Sequence, residues 1–266
     1  MRHASLQLLL LSAACLVGTG CNHFPGKPGP EPDVPRPEHV LDFKTLYATN
    51  CAACHGVAGV GGPAISLANP VYLGLVNEND LTMVITKGVP GKLMPAFGTS
   101  GGGLLTDEQV QVLVHGLESS WGKPGTLAGA NPPSYHAPAG ASTADGAKVF
   151  STSCARCHGE NGQGVATTAA GAMKGSIVDP TYLGLVSDQY LRSVVIAGLP
   201  DQGMPDWRDD TPGHALSNDE VTGVVAWLGS HRKTAVSNQT DAQQQVKPEE
   251  THPQGQKKTD AKQGPL

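Results

Sequence analysis

The sequence is poor in aromatic residues and shows no long strand pattern. Aromatic side chains make up only 5% of the 266 residues, whereas glycine (34) and proline (21) are abundant. This composition leaves little bulky apolar mass for one large all-protein core, which indicates that something else fills the centre. Apolar residues do not alternate over any stretch as long as the helical patterns described below, so sheet-based folds are disfavoured.

The N-terminus resembles an export signal. Arg2 precedes an apolar run at 6–17 that is too short to span a bilayer. Small residues then precede Cys21, as at bacterial lipoprotein cleavage sites, although Gly18 stands where such sites usually have leucine. We expect residues 1–21 to be a lipoprotein signal and a lipid on Cys21 to anchor the protein to a membrane outside the cytoplasm. An ordinary cleaved signal, which gives a soluble periplasmic protein, is the alternative.

The chain contains an internal repeat. The segment NPVYLGLV at 69–76 returns as DPTYLGLV at 179–186, an offset of 110 residues. Met94-Pro95 returns as Met204-Pro205 at the same offset. Such self-similarity predicts two copies of one structural unit.

Each copy carries one Cys-x-x-Cys-His motif, at 51–55 and at 154–158. The offset between the motifs is 103 residues, so the second copy has seven extra residues after its motif. We place this insertion in a Gly- and Ala-rich loop within 162–176. No cysteine is left over for a disulfide framework, because Cys15 and Cys21 belong to the signal region.

Apolar spacing and terminal residues predict that both copies are helical. Amphipathic segments at 78–87 and 188–197 each end at a glycine suited to a helix C-terminus. Capping boxes at Thr106 and Ser217 predict the start of a final helix in each copy. The predicted organisation is a signal at 1–21, a stiff spacer with six prolines at 22–40, domains at 41–121 and 142–232, a Pro/Gly-rich linker at 122–141, and a disordered polar tail at 233–266.

Cys-x-x-Cys-His is the attachment signature of c-type haem. Two thiols about one helical turn apart can each add to a vinyl group on the same porphyrin edge, and the adjacent histidine then reaches the iron. The sequence therefore predicts two haem c groups, held by Cys51, Cys54 and His55 and by Cys154, Cys157 and His158. Structural zinc is the alternative; it is disfavoured because one site would have to unite ligands from two separate repeats.

The repeat also predicts the sixth ligand of each iron. Met94 follows His55 by 39 residues and Met204 follows His158 by 46, and the difference is the same seven-residue insertion. Matched methionines in Gly/Pro loops predict axial ligation. Among the rivals, Met83 is expected in the core and Met173 is the one alternative kept; the remaining candidates are expected as solvated surface residues, namely His115, His214 and His231.

On these motifs, both copies resemble the class I cytochrome c fold over about 41–121 and 142–232. The resemblance implies an all-α fold of two tandem domains, similar to dihaem cytochromes and to haem subunits of bacterial quinol-oxidising or oxidase complexes. In that family a proline carbonyl after the motif orients the proximal histidine. Pro63 fits that position in the first copy, whereas the second copy has no proline between Gly159 and Asp179.

A haem iron with histidine and methionine on its two axial positions has no site for substrate, so electron transfer rather than catalysis is expected. A dihaem enzyme such as a peroxidase and a haem-based sensor are the alternatives. Residues 40–231 carry nine Lys or Arg and sixteen Asp or Glu, a balance of 9 − 16 = −7. This acidic body predicts docking on a basic surface of a redox donor or acceptor, and no nucleic acid is expected as a partner. The resemblance implies that these partners belong to a membrane respiratory complex.

Overall fold

The computed structural model describes residues 34–137, 143–166, 173–208 and 214–232. The predicted signal, with Cys21, and the predicted tail lie outside the described residues, as do most of the spacer and residues 167–172 of the insertion. No helix in the four described ranges is both long and apolar enough to cross a bilayer.

Both repeats are built from short helices, which confirms the all-α prediction. The first repeat contains α1 (Phe43–Asn50), α2 (Ala52–His55), α3 (Pro70–Leu75), α4 (Glu78–Lys87) and α5 (Asp107–Trp121). The second contains α6 (Thr143–Val149), a π-helical turn (Phe150–Cys154), α7 (Ala155–His158), α8 (Pro180–Leu185), α9 (Asp188–Ala197) and α10 (Asn218–Ser230). Short 3₁₀ helices occur at Pro37–His39, Thr99–Gly101 and Pro200–Gln202.

The helix ends follow the sequence signals. Thr106 and Ser217 both form complete capping boxes, in which the hydroxyl and the side chain of the third helical residue, Gln109 or Glu220, satisfy backbone N–H groups reciprocally. Gly88 and Gly198 follow α4 and α9 with φ of 65° and 69°, a left-handed conformation that glycine adopts without a steric penalty. The two amphipathic helices therefore end where the sequence predicted.

The insertion in the second repeat differs from the predicted loop. Its described parts form a minimal hairpin, in which β1 (Val165–Ala166) pairs antiparallel with β2 (Met173–Lys174). Two-residue strands are too short to show a period in the sequence, so tertiary placement rather than pattern decides this element.

The long C-terminal helices of the two repeats bury the predicted apolar stripes. In α5 the buried residues include Val110, Leu113, Val114 and Leu117, and in α10 they include Val221, Val224, Val225 and Leu228. Each stripe recurs at a spacing of three and four residues, which places its members on one helix face against the other helices of the same repeat.

The crossing of the first and last helices is built in opposite ways in the two repeats. In the first, the Phe43 ring lies against Gly116, where an added Cβ would be 2.0 Å from the ring. At the corresponding positions in the second repeat, Gly146 on α6 lies against α10, and Trp227 stacks on Phe150 with ring centroids 4.3 Å apart. The bulky side chain thus comes from the first helix in one repeat and from the last helix in the other.

The described part of the segment between the repeats, 122–137, contacts both of them. Arg192 of α9 is only 1% exposed, and its Nε donates to the Ser134 carbonyl at 2.8 Å. Gln189 Nε2 donates to the Tyr135 carbonyl at 2.8 Å. On the other side, His136 Nε2 lies 3.1 Å from the Asp80 carboxylate of α4. Residues 134–136 of the predicted linker are therefore hydrogen-bonded to both repeats.

Candidate haem sites

The first Cys-x-x-Cys-His motif is a single helical turn that continues α1. Cys51 N–H donates to the Tyr47 carbonyl at 2.8 Å, and His55 N–H donates to the Cys51 carbonyl at 3.0 Å. Both thiols are free; Cys51 is half-buried and packs against the core, whereas Cys54 is exposed. Burial, followed by the neighbouring Cys54, raises the pKa of Cys51 to about 11. The two sulfur atoms are thus presented from one turn, as covalent attachment to one porphyrin edge requires.

His55 is held by a backbone carbonyl. Its Nδ1 lies 2.8 Å from the Ile65 carbonyl oxygen. Burial lowers the pKa of His55, which favours the neutral ring, and the bond to a carbonyl places the proton on Nδ1. The lone pair is then on Nε2, the atom that would face a metal. The family resemblance assigned this orienting role to Pro63, but the acceptor is Ile65, two residues further along the loop.

The loop after the first motif is held tightly around the histidine. Tyr47 Oη donates to the Gly56 carbonyl at 2.8 Å, and Ala64 N–H donates to the Cys54 carbonyl at 2.9 Å. An added Cβ on Gly56 would lie 1.8 Å from the Val60 carbonyl oxygen. The sequence did not predict these contacts. The glycine that directly follows the histidine in both repeats could have indicated a tight turn at this point.

The second motif has the same backbone. Cys154 and Cys157 form no disulfide and are half-buried, and Gly159 follows His158 with φ of 79°, close to the 83° of Gly56. Gly164 N–H donates to the His158 carbonyl at 2.8 Å. Phe150 occupies the position of Tyr47 and is 1% exposed, so the phenol-to-glycine hydrogen bond has no equivalent in this repeat.

Both candidate methionines lie half-buried in matched loops and pack against the apolar core. Val89 N–H donates to the Met94 carbonyl at 2.9 Å, and Leu199 N–H donates to the Met204 carbonyl at 3.0 Å. An added Cβ on Gly88 or on Gly198 would lie 2.7 Å from the carbonyl oxygen of its own methionine. Each loop therefore folds back onto the glycine that ends the preceding helix.

The alternative candidates for the sixth iron ligand lie outside the two matched methionine loops. Met83 was expected in the core, which is wrong: it is 62% exposed, because the buried face of α4 is formed by Leu81, Ile85 and Thr86. Met173 begins β2, and its side chain lies outside the described residues. The remaining rivals are His115 and His214, which are exposed beside Glu78 and Glu220, and His231, which is half-buried with its ring 4.5 Å from that of Trp227.

The zinc alternative finds no support. Within the described ranges, the cysteines and their adjacent histidines do not come together as three ligand atoms within 4.8 Å of one another. The group of that kind consists of Glu78, His115 and Glu118 on the surface of the first repeat. Each repeat instead provides two thiols and an imidazole from one helical turn. It also provides a methionine thioether from a loop that packs against the apolar core. This donor set fits a covalently attached haem.

A family model described as cytochrome c oxidase, cbb3-type, subunit III matches residues 39–115 and 141–228. A cbb3-type cytochrome c oxidase subunit CcoP from Azospirillum sp. (strain B510) is 33% identical over an alignment of 132 residues that covers 46% of this chain and 40% of that protein. The CcoP subunit of Azospirillum brasilense is 32% identical over 50% of this chain and 45% of its own length. The chain thus spans less than half the length of these relatives.

Among solved structures, the Kuenenia stuttgartiensis reducing HAO-like protein complex Kustc0457/Kustc0458 contains a similar chain. It is 22% identical, covers 75% of this chain and 100% of its own, and superposes with a TM-score of 0.44.

Proposed function

The chain belongs to the family of the cbb3-type cytochrome c oxidase subunit III, and from that membership we propose that it carries two covalent haem groups and passes single electrons between respiratory-chain partners at the outer face of the cytoplasmic membrane. The observation that carries the proposal is the duplicated donor set, a Cys-x-x-Cys-His turn and a half-buried methionine loop in each repeat. The proposed haem domains are 41–121 and 142–232, joined by the linker 122–141.

Each haem supplies a one-electron ferric/ferrous couple when bound. The residues proposed to hold the two haems covalently are Cys51, Cys54, Cys154 and Cys157. The proposed axial ligands are His55 and Met94 in the first domain and His158 and Met204 in the second. The Ile65 carbonyl fixes the tautomer of His55, so that Nε2 is the coordinating atom.

Electron transfer fits these residues better than catalysis does. A thioether ligand favours the reduced state and raises the potential relative to a second imidazole. It also closes the position that peroxide or a gas would need. Both methionine loops are anchored by backbone hydrogen bonds, and both methionines pack against the apolar core, which supports a fixed sixth ligand in each domain.

The names of the relatives support a membrane respiratory complex as the partner. Since the chain spans less than half of their length, we propose the partner by class only: a redox-protein donor and an acceptor within a membrane oxidase or quinol-oxidising complex. A lipid on Cys21 would hold the protein at the membrane, and the proline-rich spacer would separate the domains from it by about 3.1 Å per extended residue.

The test is the number of haems and the effect of the axial methionines. We expect the purified protein to carry two haems by mass and by iron content, falling to one when Cys51 and Cys54, or Cys154 and Cys157, are replaced by alanine. In a redox titration, Met94→His and Met204→His should each lower the potential of one haem and leave covalent attachment intact.

An iron stoichiometry near one in the unmodified protein would overturn the two-haem proposal. Unchanged potentials in both methionine variants would overturn the ligand assignment. Tight carbon monoxide binding by the reduced protein, or rapid peroxide turnover, would favour a sensor or a peroxidase instead.

A further inference from the structure

The two repeats touch through the regions that carry their methionine loops. Asn69 Nδ2, at the start of α3, donates to the carbonyls of Ala197 at 2.9 Å and Gly198 at 3.2 Å, at the end of α9. In the other direction, Lys92 Nζ, in the loop that leads to Met94, donates to the Gly184 carbonyl of α8 at 2.8 Å. The Tyr-Leu-Gly-Leu helix of each repeat thus meets the segment after the amphipathic helix of the other.

Asn69 is the buried member of this contact. It is 3% exposed, and both ends of its amide are engaged. Its Oδ1 accepts from the N–H groups of Val71 at 2.9 Å and Tyr72 at 3.4 Å, which caps α3 within its own repeat. Its Nδ2 satisfies two of the carbonyls that a helix C-terminus leaves without intrahelical partners, and these belong to the other repeat.

The carbonyls that Asn69 holds lie next to the Met204 loop. Gly198 is the residue on which that loop folds, since an added Cβ would lie 2.6 Å from the Pro205 carbonyl and 2.7 Å from that of Met204. The next residue, Leu199, exchanges two backbone hydrogen bonds with Met204, both 3.0 Å long. A displacement of the end of α9 therefore displaces the backbone of Met204.

The equivalent position of the second repeat carries a different side chain. The residue equivalent to Asn69 is Asp179, which caps α8 by accepting from Tyr182 N–H at 2.9 Å and is exposed. A carboxylate has no N–H to donate, so it cannot hold the carbonyls at the end of α4 in the same way. The cap of α3 differs from the cap of α8 by the amide N–H group of Asn69, and this group makes the hydrogen bonds to the other repeat.

We infer that Asn69 of the first repeat is a positioning residue for the sixth-ligand loop of the second repeat, so that the potential of the second haem depends on a side chain of the other domain. This inference rests on the proposed ligation by Met204. Asn69 is not one of the proposed ligands; it acts by fixing the end of α9, on which the Met204 loop is folded.

The experiment uses the full-length, haem-loaded protein and two variants. Asn69→Asp keeps the cap of α3 but places a carboxylate against two carbonyl oxygens, and Asn69→Ser keeps a cap without a donor long enough to reach them. We expect both to lower the potential of the haem that Met204→His also lowers, with the larger shift in Asn69→Asp. Amide hydrogen exchange over 198–205 should accelerate about tenfold or more. The reduced variants should bind carbon monoxide where the parent does not.

Asp179→Asn is the matched control, since it changes the equivalent cap in the other repeat and should alter neither potential. Unchanged exchange over 198–205 together with unchanged potentials in both Asn69 variants would overturn the inference. So would a shift confined to the haem of the first repeat, because that would show a local effect of the cap on α3. If Met204→His itself shifts no potential, the ligand assignment fails rather than the role of Asn69 at the contact, which the exchange measurement then decides separately.

Discussion

At the scale of single residues, the glycine after each amphipathic helix has two separate reasons to be glycine. Gly88 has φ of 65°, and an added Cβ would lie 2.5 Å from the Pro95 carbonyl carbon and 2.6 Å from Ala96 N. The sequence pattern indicated only the first reason, the end of the helix. The close approach of the Met94 loop is the second, and it connects the glycine to the proposed ligand.

We therefore predict that Gly88→Ala lowers the free energy of unfolding by about 2–4 kcal/mol, from the left-handed backbone and the clash together. Because the clash falls on backbone atoms of the Met94 loop, the potential of the first haem should fall as well. Thermal or denaturant unfolding and a redox titration measure the two effects.

Gly91→Ala is the control for backbone conformation alone. Gly91 has φ of 69°, and nothing lies within 4 Å of an added Cβ. It should cost about 1 kcal/mol and leave both potentials unchanged. Equal effects of the two substitutions would contradict the role assigned to the close approach.

At the scale of helices, the crossing of the first and last helix shows how the duplicated units diverged in packing while keeping one backbone plan. Phe43 fills the space over Gly116 in the first repeat, and its ring also lies 5.8 Å from that of Trp121. In the second repeat Trp227 comes from the opposite helix and Gly146 makes room, with an added Cβ 1.9 Å from the Gly223 carbonyl oxygen. One large and one small residue are needed at each crossing, but either helix can supply the large one.

This complementarity predicts non-additive mutations. Gly116→Trp alone should destabilise the first repeat by about 3 kcal/mol or more, because it overpacks against the Phe43 ring. Combined with Phe43→Gly, which transplants the pair from the second repeat, the loss should be smaller than the sum of the two single losses by at least about 1 kcal/mol. A double-mutant cycle from denaturant unfolding measures the coupling.

Gly184→Ala is the control at a helical glycine where an added Cβ would meet no atom within 4 Å. It should be neutral or stabilising by up to about 1 kcal/mol. Additive losses in the cycle would show that the two positions do not share one packing site.

At the scale of the whole molecule, charge decides how the protein meets its partners. The balance of −7 over residues 40–231 gives the body an acidic surface, and haem propionates would add to it. Exposed charges act over about 10 Å at 0.1 M salt, so their contribution to encounter rates is removed by added electrolyte. The sign of the salt effect therefore reports the sign of the surface around the redox site.

We predict that oxidation of the reduced protein by a cationic cobalt complex slows severalfold as ionic strength rises from about 0.01 M to about 0.5 M. Oxidation by ferricyanide, an anion, should accelerate over the same range. Stopped-flow absorbance at the haem bands measures both rates. Rates that are independent of salt, or the opposite signs, would show that the electron leaves through a neutral or basic face.

The sequence by itself determined the parts of this protein that depend on local pattern. Three kinds of feature are determined by residues within one or two helical turns of each other, and the structure confirms all three. They are the helix caps at Thr106 and Ser217, the glycines after α4 and α9, and the apolar stripes of α5 and α10. The haem-binding residues, which remain a proposal, were named in the same way from spacing and from the repeat.

Only the tertiary structure decided the contacts between residues distant in the chain. The Ile65 carbonyl rather than that of Pro63 accepts from His55, because the path of the loop and not its composition brings an oxygen to the ring. Met83 is exposed because the packing of α4 selects one of its faces. The hydrogen bond from Asn69 to Ala197 joins residues 128 positions apart in the chain. A periodic sequence pattern does not predict it, because it forms only when the two folded repeats pack against each other.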